Sequence, residues 1–397
     1  MTQSRADAPS TRLWTSDYVL GLLTAHFLFA SYTSLFTMVP LYVLDRGGAA
    51  WQIGPVVGSF GIVALVVRPF AGKWVYLLGA KRVAIAGSAI FAVAGVLYIP
   101  AFDVWTMLPV RMLQGVGMAM TPVATVTIIA NLAPVRRRAE GLSYHGNSVA
   151  LSGLYSPVVG FWLISNHSFS SGFLYSAMCA SVAAALAFRI SSTGTSIPVS
   201  PDPAHRAPLI APSAIFPTAV FVGYTITVAP VATFLPLLAE TRNLGNPGLY
   251  FSVNSLTTIT VMLIAGRAAD RLGRSALIIP GLLSAAAGMF VLMGAHHQAV
   301  FLSAAFLVGG GFGMIQPAMQ SFTVDRAPPH ERSSALATLQ AGWDIGGSGG
   351  AFILGPVGGI LTAASTFGIA GAGTLIGAAG FVLGSRRNRE GTETEEA

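Results

Sequence analysis

A carboxylate and a guanidinium stand inside stretches that otherwise carry no charge. Asp344 occurs in Gln340-Ala341-Gly342-Trp343-Asp344-Ile345-Gly346-Gly347, and Arg111 in Arg111-Met112-Leu113-Gln114-Gly115-Val116-Gly117. At helical spacing Gln340, Asp344 and Ser348 share one face, so the carboxyl is expected to look into a polar cavity. A carboxyl whose surroundings alternate between wet and dry can take up and release a proton, the chemistry that ion-coupled transport needs. The other explanation is an aspartate capped by neighbouring backbone or glutamine that fixes a helix contact. Arg111, Gln114, Gly115, Met118 and Pro122 form a second stripe. Its guanidinium either tunes a partner acid, with Asp344 as the proton carrier, or binds backbone carbonyls and locks two helices together. Asp344, Arg111 and Glu140 are the proton-coupling candidates.

Further polar side chains recur at helical spacing. Glu140, Tyr144 and Asn147 follow one another at i, i+4 and i+7, and Gln316 with Gln320 and Asn254 with Thr258 do likewise. Together with His26, Tyr32, Gln114, Gln340 and Trp343 they are the expected cavity lining. An interhelical bond explains any one of them equally well, because amides and hydroxyls bond across membrane helices, and a lone histidine such as His26 is more often simply satisfied. Tyr32, Phe36 and Trp343 suit an amphipathic substrate or core packing. So few fixed charges favour neutral or weakly cationic substrates over phosphates.

The elements that position these residues must be membrane spans. The 397 residues are 53% hydrophobic and 9% charged, against roughly a quarter charged in soluble domains. Apolar stretches of roughly 20 residues consume the chain: 17–44, 52–75, 83–100, 104–132, 139–164 and 172–190, then 213–238, 247–265, 275–295, 300–324, 332–360 and 362–384. The expected fold is an all-α membrane protein of twelve transmembrane helices in two pseudo-symmetric six-helix bundles. Residues 1–16 form an N-terminal tail, 17–190 the first bundle, 191–212 a Ser/Pro/Gly-rich linker, 213–384 the second bundle and 385–397 a C-terminal tail.

Charge distribution orients the chain. Net charge is +7, and of 22 Lys and Arg only Arg46 and Arg242 fall in connections on one side, with Arg111 inside a helix. The rest are read at or near the other face, which makes that face cytoplasmic and places both termini and the linker there. An inner-membrane, multi-pass, monomeric protein is expected, with a small-molecule substrate, protons and the lipid bilayer as partners and no nucleic acid. The run after Arg5 and Arg12 is long enough to span, so no cleaved leader is expected. The single cysteine, Cys179, can form neither an internal disulfide nor a cysteine-based metal site. No G-x-x-x-x-G-K-[ST] or H-E-x-x-H occurs, and Gly346-Gly347-Ser348-Gly349-Gly350 satisfies G-x-S-x-G only inside a helix, so neither an enzyme nor a cofactor is expected.

Between two apolar runs lies Gly266-Arg267-Ala268-Ala269-Asp270-Arg271-Leu272-Gly273-Arg274, which reads as a tight basic turn at a membrane face. Both of its glycines recur 194 positions earlier, at Gly72 and Gly79. Ala133-Pro134 matches Ala327-Pro328 and Arg138-Ala139 matches Arg332-Ser333 at the same offset, and Gly115-x-Gly117 matches Gly311-x-Gly313 at 196. The basic turn resembles the G-x-x-x-D-R-x-G-R loop of the major facilitator superfamily of secondary transporters. That loop falls between helices two and three and again between eight and nine. The stretch from Arg111 to Gly117 resembles the fourth-helix signature of the superfamily's proton-coupled exporters, which implies a part in proton transfer for Arg111. Gly153-Leu154-Tyr155-Ser156-Pro157-Val158-Val159-Gly160-Phe161 resembles in part the antiporter signature of drug exporters, with Phe161 in place of the last glycine. Gly355-Pro356-Val357-Gly358-Gly359 matches the core of that signature more closely, in the other half.

The resemblance implies proton-coupled export of a hydrophobic or amphipathic small molecule by alternating access. Proton-coupled nutrient uptake is the alternative, and a non-transporting membrane receptor or scaffold a third reading. It further implies a conformational latch built from Gly72, Gly79, Gly266, Asp270, Arg271, Gly273, Arg274 and Arg138. Tyr76 and Leu77 replace the acidic and basic residues of the first-half loop. The latch is therefore expected on one side only, with Asp270 reaching the arginines 136–138 at the start of the fifth helix.

Overall fold

A computed structural model of the chain describes residues 13–101, 103–134, 138–191, 210–328 and 332–395; within these, the side chains of residues 69, 76, 138–140, 143, 266–272, 332–334, 337 and 386–395 lie outside the description. Apolar runs in lipid fold as helices because a helix closes its backbone bonds within the run. The helices are α1 Ser16–Asp45, α2 Ala50–Leu78, α3 Ala80–Leu97, α4 Val104–Leu132, α5 Arg138–Asn166, α6 Phe169–Arg189, α7 Pro212–Thr241, α8 Gly248–Leu272, α9 Ser275–Met293, α10 Gln298–Arg326, α11 over residues 332–360, and α12 Ala363–Glu395; all but the interrupted α11 hold a described stretch long and apolar enough to cross a membrane. Side chains fix several starts: Thr15 accepts from Tyr18 N at 3.2 Å, and Asp103 accepts from Thr106 N at 2.8 Å. Ends are fixed by proline, since Ala133 and Ala327 are both extended ahead of Pro134 and Pro328.

Two spans are interrupted at mid-depth. In α7 the helix breaks between Ile215–Thr225 and Val228–Thr241. Pro230 has no N–H to offer the Ile226 carbonyl one turn back, which takes the Ala229 N–H at 3.2 Å instead. In α11, Arg332–Trp343 and Gly350–Ile360 are joined by a π-helical turn, Asp344–Gly349. The glycine run there accommodates the extra residue, and Gly350 N–H reaches back to Ile345 O. The two interruptions meet: the Thr225 hydroxyl donates to Gly342 O at 2.7 Å.

The two sets of six pack in the same way. Within the first, α1 packs on α5 and α6, α2 on α4, and α3 on α4 and α6; within the second, α7 packs on α11 and α12, α8 on α10, and α9 on α10 and α12. Close approaches repeat as well. A Cβ at Gly117 would stand 2.6 Å from Gly87 O, and one at Gly311 would stand 2.6 Å from Gly281 O. Gly115 lies against Phe60 O as Gly309 lies against Asn254 O. Each of these pairs is 194 positions apart, so the offset of 196 read for the Gly-x-Gly pairs is corrected: Gly117 corresponds to Gly311, and Gly115 to Gly309.

The basic loops also differ from expectation. Both helices run through them, α2 to Leu78 and α8 to Leu272, and each reversal falls on one glycine, Gly79 at φ 86° and Gly273 at φ 88°. Only glycine adopts that region without cost.

Candidate functional site

The sets of six meet along a seam confined to one half of the molecule. Ser191 N donates to Asp17 and Tyr18 donates to Gly141 O, which puts the chain start, the start of α5 and the end of α6 at one face, here the linker face. On α2, Gly54, Gly58 and Gly61 approach Gly355, Phe352 and Ser348 of α11, while Trp51 meets Gly359. On α8, Gly248 sits on Val158 of α5, Ser252 donates to Leu154 O, and Ser255 faces Gly153. Phe36 stacks on Phe251 with ring centroids 5.5 Å apart. All of these lie toward the far face, where small residues let backbones close on one another. Toward the linker face the same sides of the helices part: Gly72, three turns beyond Gly61, and Gly146, two turns before Gly153, would each present a Cβ to nothing within 4 Å. The space between the two sets thus opens to the linker face.

An ion pair closes the linker-side end of this seam. Gly54, Gly61 and Arg68 are spaced by seven along α2, and Arg68 meets Asp344 at the start of the π turn of α11. Arg68 Nη2 donates to Asp344 Oδ1 at 3.1 Å and lies 3.0 Å from Oδ2. The Asp344 side chain is 10% exposed and the Arg68 side chain 29%. Contact is end-on, through the single nitrogen Nη2, and Arg68 Nε is buried with no hydrogen-bond partner among the described residues. Tyr32 stands within electrostatic reach of Arg68, Asp344 and Arg111, and stacks on Phe60 at 5.0 Å. Tyr32, Phe36, Phe60 and Phe251 form an aromatic roof over the space at the end of the seam.

Arg68 had been placed at the basic face by the charge reading. It lies inside the membrane span instead, ten residues before the end of α2, and it supplies the partner for Asp344 that Arg111 was expected to provide. Arg111 is 2% exposed within the first set. Its Nε donates to Val56 O at 3.4 Å, its Nη1 to Gln114 Oε1 at 3.1 Å, and its guanidinium covers the Phe60 ring at 4.9 Å. Gln114 also accepts from Tyr98 at 3.0 Å and is fully buried, so it ties α4 to the end of α3, while Arg111 ties α4 to α2, and it does not line the cavity.

The remaining candidates divide into those near the space and those consumed by packing. His26 bridges α1 to α5, its Nδ1–H donating to Ser148 O at 2.9 Å and its Nε2 accepting from Tyr155 at 2.8 Å. Asn254 donates to Ala305 O at 3.4 Å and Thr258 to Gly309 O at 3.0 Å, both fastening α8 to α10. Trp343 sits edge-on to Phe221 and Phe312 in a cluster internal to the second set. Tyr144 packs against Trp14 near the linker face. Asn147 and Gln320 are half-buried, and Gln340 is exposed. The Gln316 carbonyl oxygen is buried and has no partner among the described residues. Of the latch, Arg274 bonds Asp325 at 3.4 Å within its own set. The side chains of Glu140, Arg138, Asp270 and Arg271, the arginines 136 and 137, and the surroundings of Gly266 lie outside the described residues.

Duplicated helical sets that meet at one face and part at the other, joined by the Arg68–Asp344 ion pair, define a two-bundle membrane fold. The chain belongs to the Major Facilitator Superfamily, whose family model matches residues 21–351 and, in a second match, 215–397. It is similar to the staphylopine export protein of Staphylococcus aureus, 23% identical over 354 residues that cover 86% of this chain and 88% of that protein. It is also similar to multidrug resistance protein 1 of Bacillus subtilis, 27% identical over 146 residues, 36% of this chain and 37% of that one. Among solved structures, a POT family transporter in complex with 5-aminolevulinic acid superposes with a TM-score of 0.78 at 11% identity, over 93% of this chain and 96% of that chain. The protein is a multi-pass membrane transporter acting on a small molecule.

Proposed function

We propose that this transporter exports a hydrophobic or amphipathic small molecule across the cytoplasmic membrane in exchange for protons, with Asp344 as the proton site. The observation that carries this reading is the Arg68–Asp344 pair, which joins the two sets of six at the linker-side end of their seam. The similarity to the staphylopine export protein of S. aureus and to a multidrug resistance protein of B. subtilis supports the direction. The one-sided distribution of Lys and Arg makes the linker face the cytoplasmic one, so the state seen here is open inward.

Protonating Asp344 removes its charge and with it the Coulomb attraction to Arg68, about 4 kcal/mol or more between unit charges at this range in a medium of effective dielectric near 20. The carboxylate can therefore hold the pair or hold a proton, and exchange follows if a substrate displaces that proton. Arg111 acts on this site through the Phe60–Tyr32 stack rather than by touching Asp344. Rocking of the two sets about the seam carries the site from one face to the other.

The test is reconstitution in liposomes with an internal pH dye, challenged with a panel of amphipathic compounds under imposed gradients. Export by exchange predicts proton movement opposite to the compound, lost in Asp344→Asn. Movement of both in one direction would support the uptake reading, which the substitution of Phe161 in the fifth-helix signature also favours. Absence of any solute movement across the panel would refute export of this class of compound.

A further inference from the structure

The ion pair that joins the two halves is incomplete. A guanidinium and a carboxylate in full contact lie fork to fork, with two parallel bonds. Here only Arg68 Nη2 is engaged, by both oxygens of Asp344. Arg68 Nε, a donor on a cation, is withdrawn from water and has no hydrogen-bond partner among the described residues, while the carboxylate meets the cation through that one nitrogen alone. A desolvated group of this kind is costly until a partner arrives. The site therefore presents an unmet donor on the cation and, adjacent to it, an anion whose two oxygens share one nitrogen. Beside them stand the stacked rings of Tyr32 and Phe60, and beyond these Phe36 on Phe251.

A ligand that completes this arrangement needs an anionic acceptor for Arg68, a cationic donor for Asp344, and an apolar body for the rings. We infer that the substrate is a zwitterionic amphiphile, bearing an ammonium and a carboxylate, that inserts between Arg68 and Asp344 and replaces their single contact with one bond to each. This deepens the export reading and rests on it. The ammonium would occupy the carboxylate that otherwise binds the proton, so substrate and proton compete for one site. The carboxylate satisfies the cation that the competition would leave without a partner. A compound with only one of the two charges strands the other member of the pair, which is the basis of discrimination.

The probes are three compounds with one apolar body: 2-amino-6-phenylhexanoic acid, the amine 5-phenylpentylamine and the acid 6-phenylhexanoic acid. Binding to the full chain in nanodiscs is measured by calorimetry, with no transport step. The amino acid is expected to bind at least about tenfold more tightly than either single-charge analogue, the worth of one charge-assisted bond. In Arg68→Gln the amino acid and the amine should bind alike. In Asp344→Asn the amino acid and the acid should bind alike. Arg68→Lys, which keeps the charge, should retain the preference, and this separates loss of the charge from loss of the fold. Equal binding of all three compounds to the wild-type protein, binding of none, or a preference that survives Arg68→Gln would overturn the inference. Proton exchange in liposomes with a singly charged compound, alongside any of those results, would leave the export reading standing and remove this one alone.

Discussion

Gly54→Val tests whether the α2–α11 seam is what holds the far face shut. A Cβ at Gly54 would lie 2.9 Å from Gly355 N and closer still to Gly355 Cα and Ala351 O, all on a facing helix whose backbone cannot rotate away. Overpacking of this kind costs about 1–3 kcal/mol and more when backbone must move. The cost applies only while the far face is closed, because in the opposite state the seam is parted and the valine meets open space. A bias of about 3 kcal/mol shifts the ratio of the two states roughly 150-fold. Spin labels on Ala49→Cys and Leu361→Cys, both exposed at the far face, report the gap in a Cys179→Ser background. The wild type should give mainly one short distance, and Gly54→Val mainly a longer one. Gly72→Val serves as the control, since nothing stands within 4 Å of a Cβ there, and it should leave the short distance in place. An unchanged distance in Gly54→Val would refute the seam as the gate.

Gln114→Leu leaves Arg111 Nη1 and the Tyr98 hydroxyl buried without their shared acceptor, so it should destabilise the protein by about 2–4 kcal/mol; thermal melts in detergent measure this, and Gln114→Glu, which keeps the acceptor, should recover most of it. Gly79→Ala and Gly273→Ala force a side chain into a left-handed backbone and should each cost about 1–2 kcal/mol, with the two values similar because the turns are equivalent by the duplication. Thr225→Val keeps the shape but removes the donor to Gly342 O, so hydrogen exchange should quicken over residues 342–349 while the global melting temperature moves by a few degrees at most.

The fold was legible because lipid imposes simple rules: span length, one-sided charge and glycines repeating 194 apart all follow from packing helices in a bilayer. The Gly-x-Gly pairs were misaligned by two because Gly309, Gly310 and Gly311 offer several registers, and only the contacts with Asn254 and Gly281 decide between them. Arg68 was missed because the charge count assigned every Lys and Arg except Arg46, Arg111 and Arg242 to the cytoplasmic face, although the span read as 52–75 already contained it. Its place seven residues after Gly61 and fourteen after Gly54 was the available signal. The break in α7 follows from Pro230, whereas the π turn hides in a glycine run that reads equally well as regular helix. For His26 and Asn254, composition could not separate a cavity residue from a helix fastener, because the same amide or imidazole does either and only the neighbouring carbonyl tells which.

If Asp344 holds either a proton or the substrate, the affinity of a transported compound for the purified protein must depend on pH. Competition for one carboxylate predicts that binding weakens as pH falls, by about tenfold per unit once below the midpoint of that group, and that the slope disappears in Asp344→Asn. Binding that strengthens as pH falls, or a slope that persists in Asp344→Asn, would contradict it.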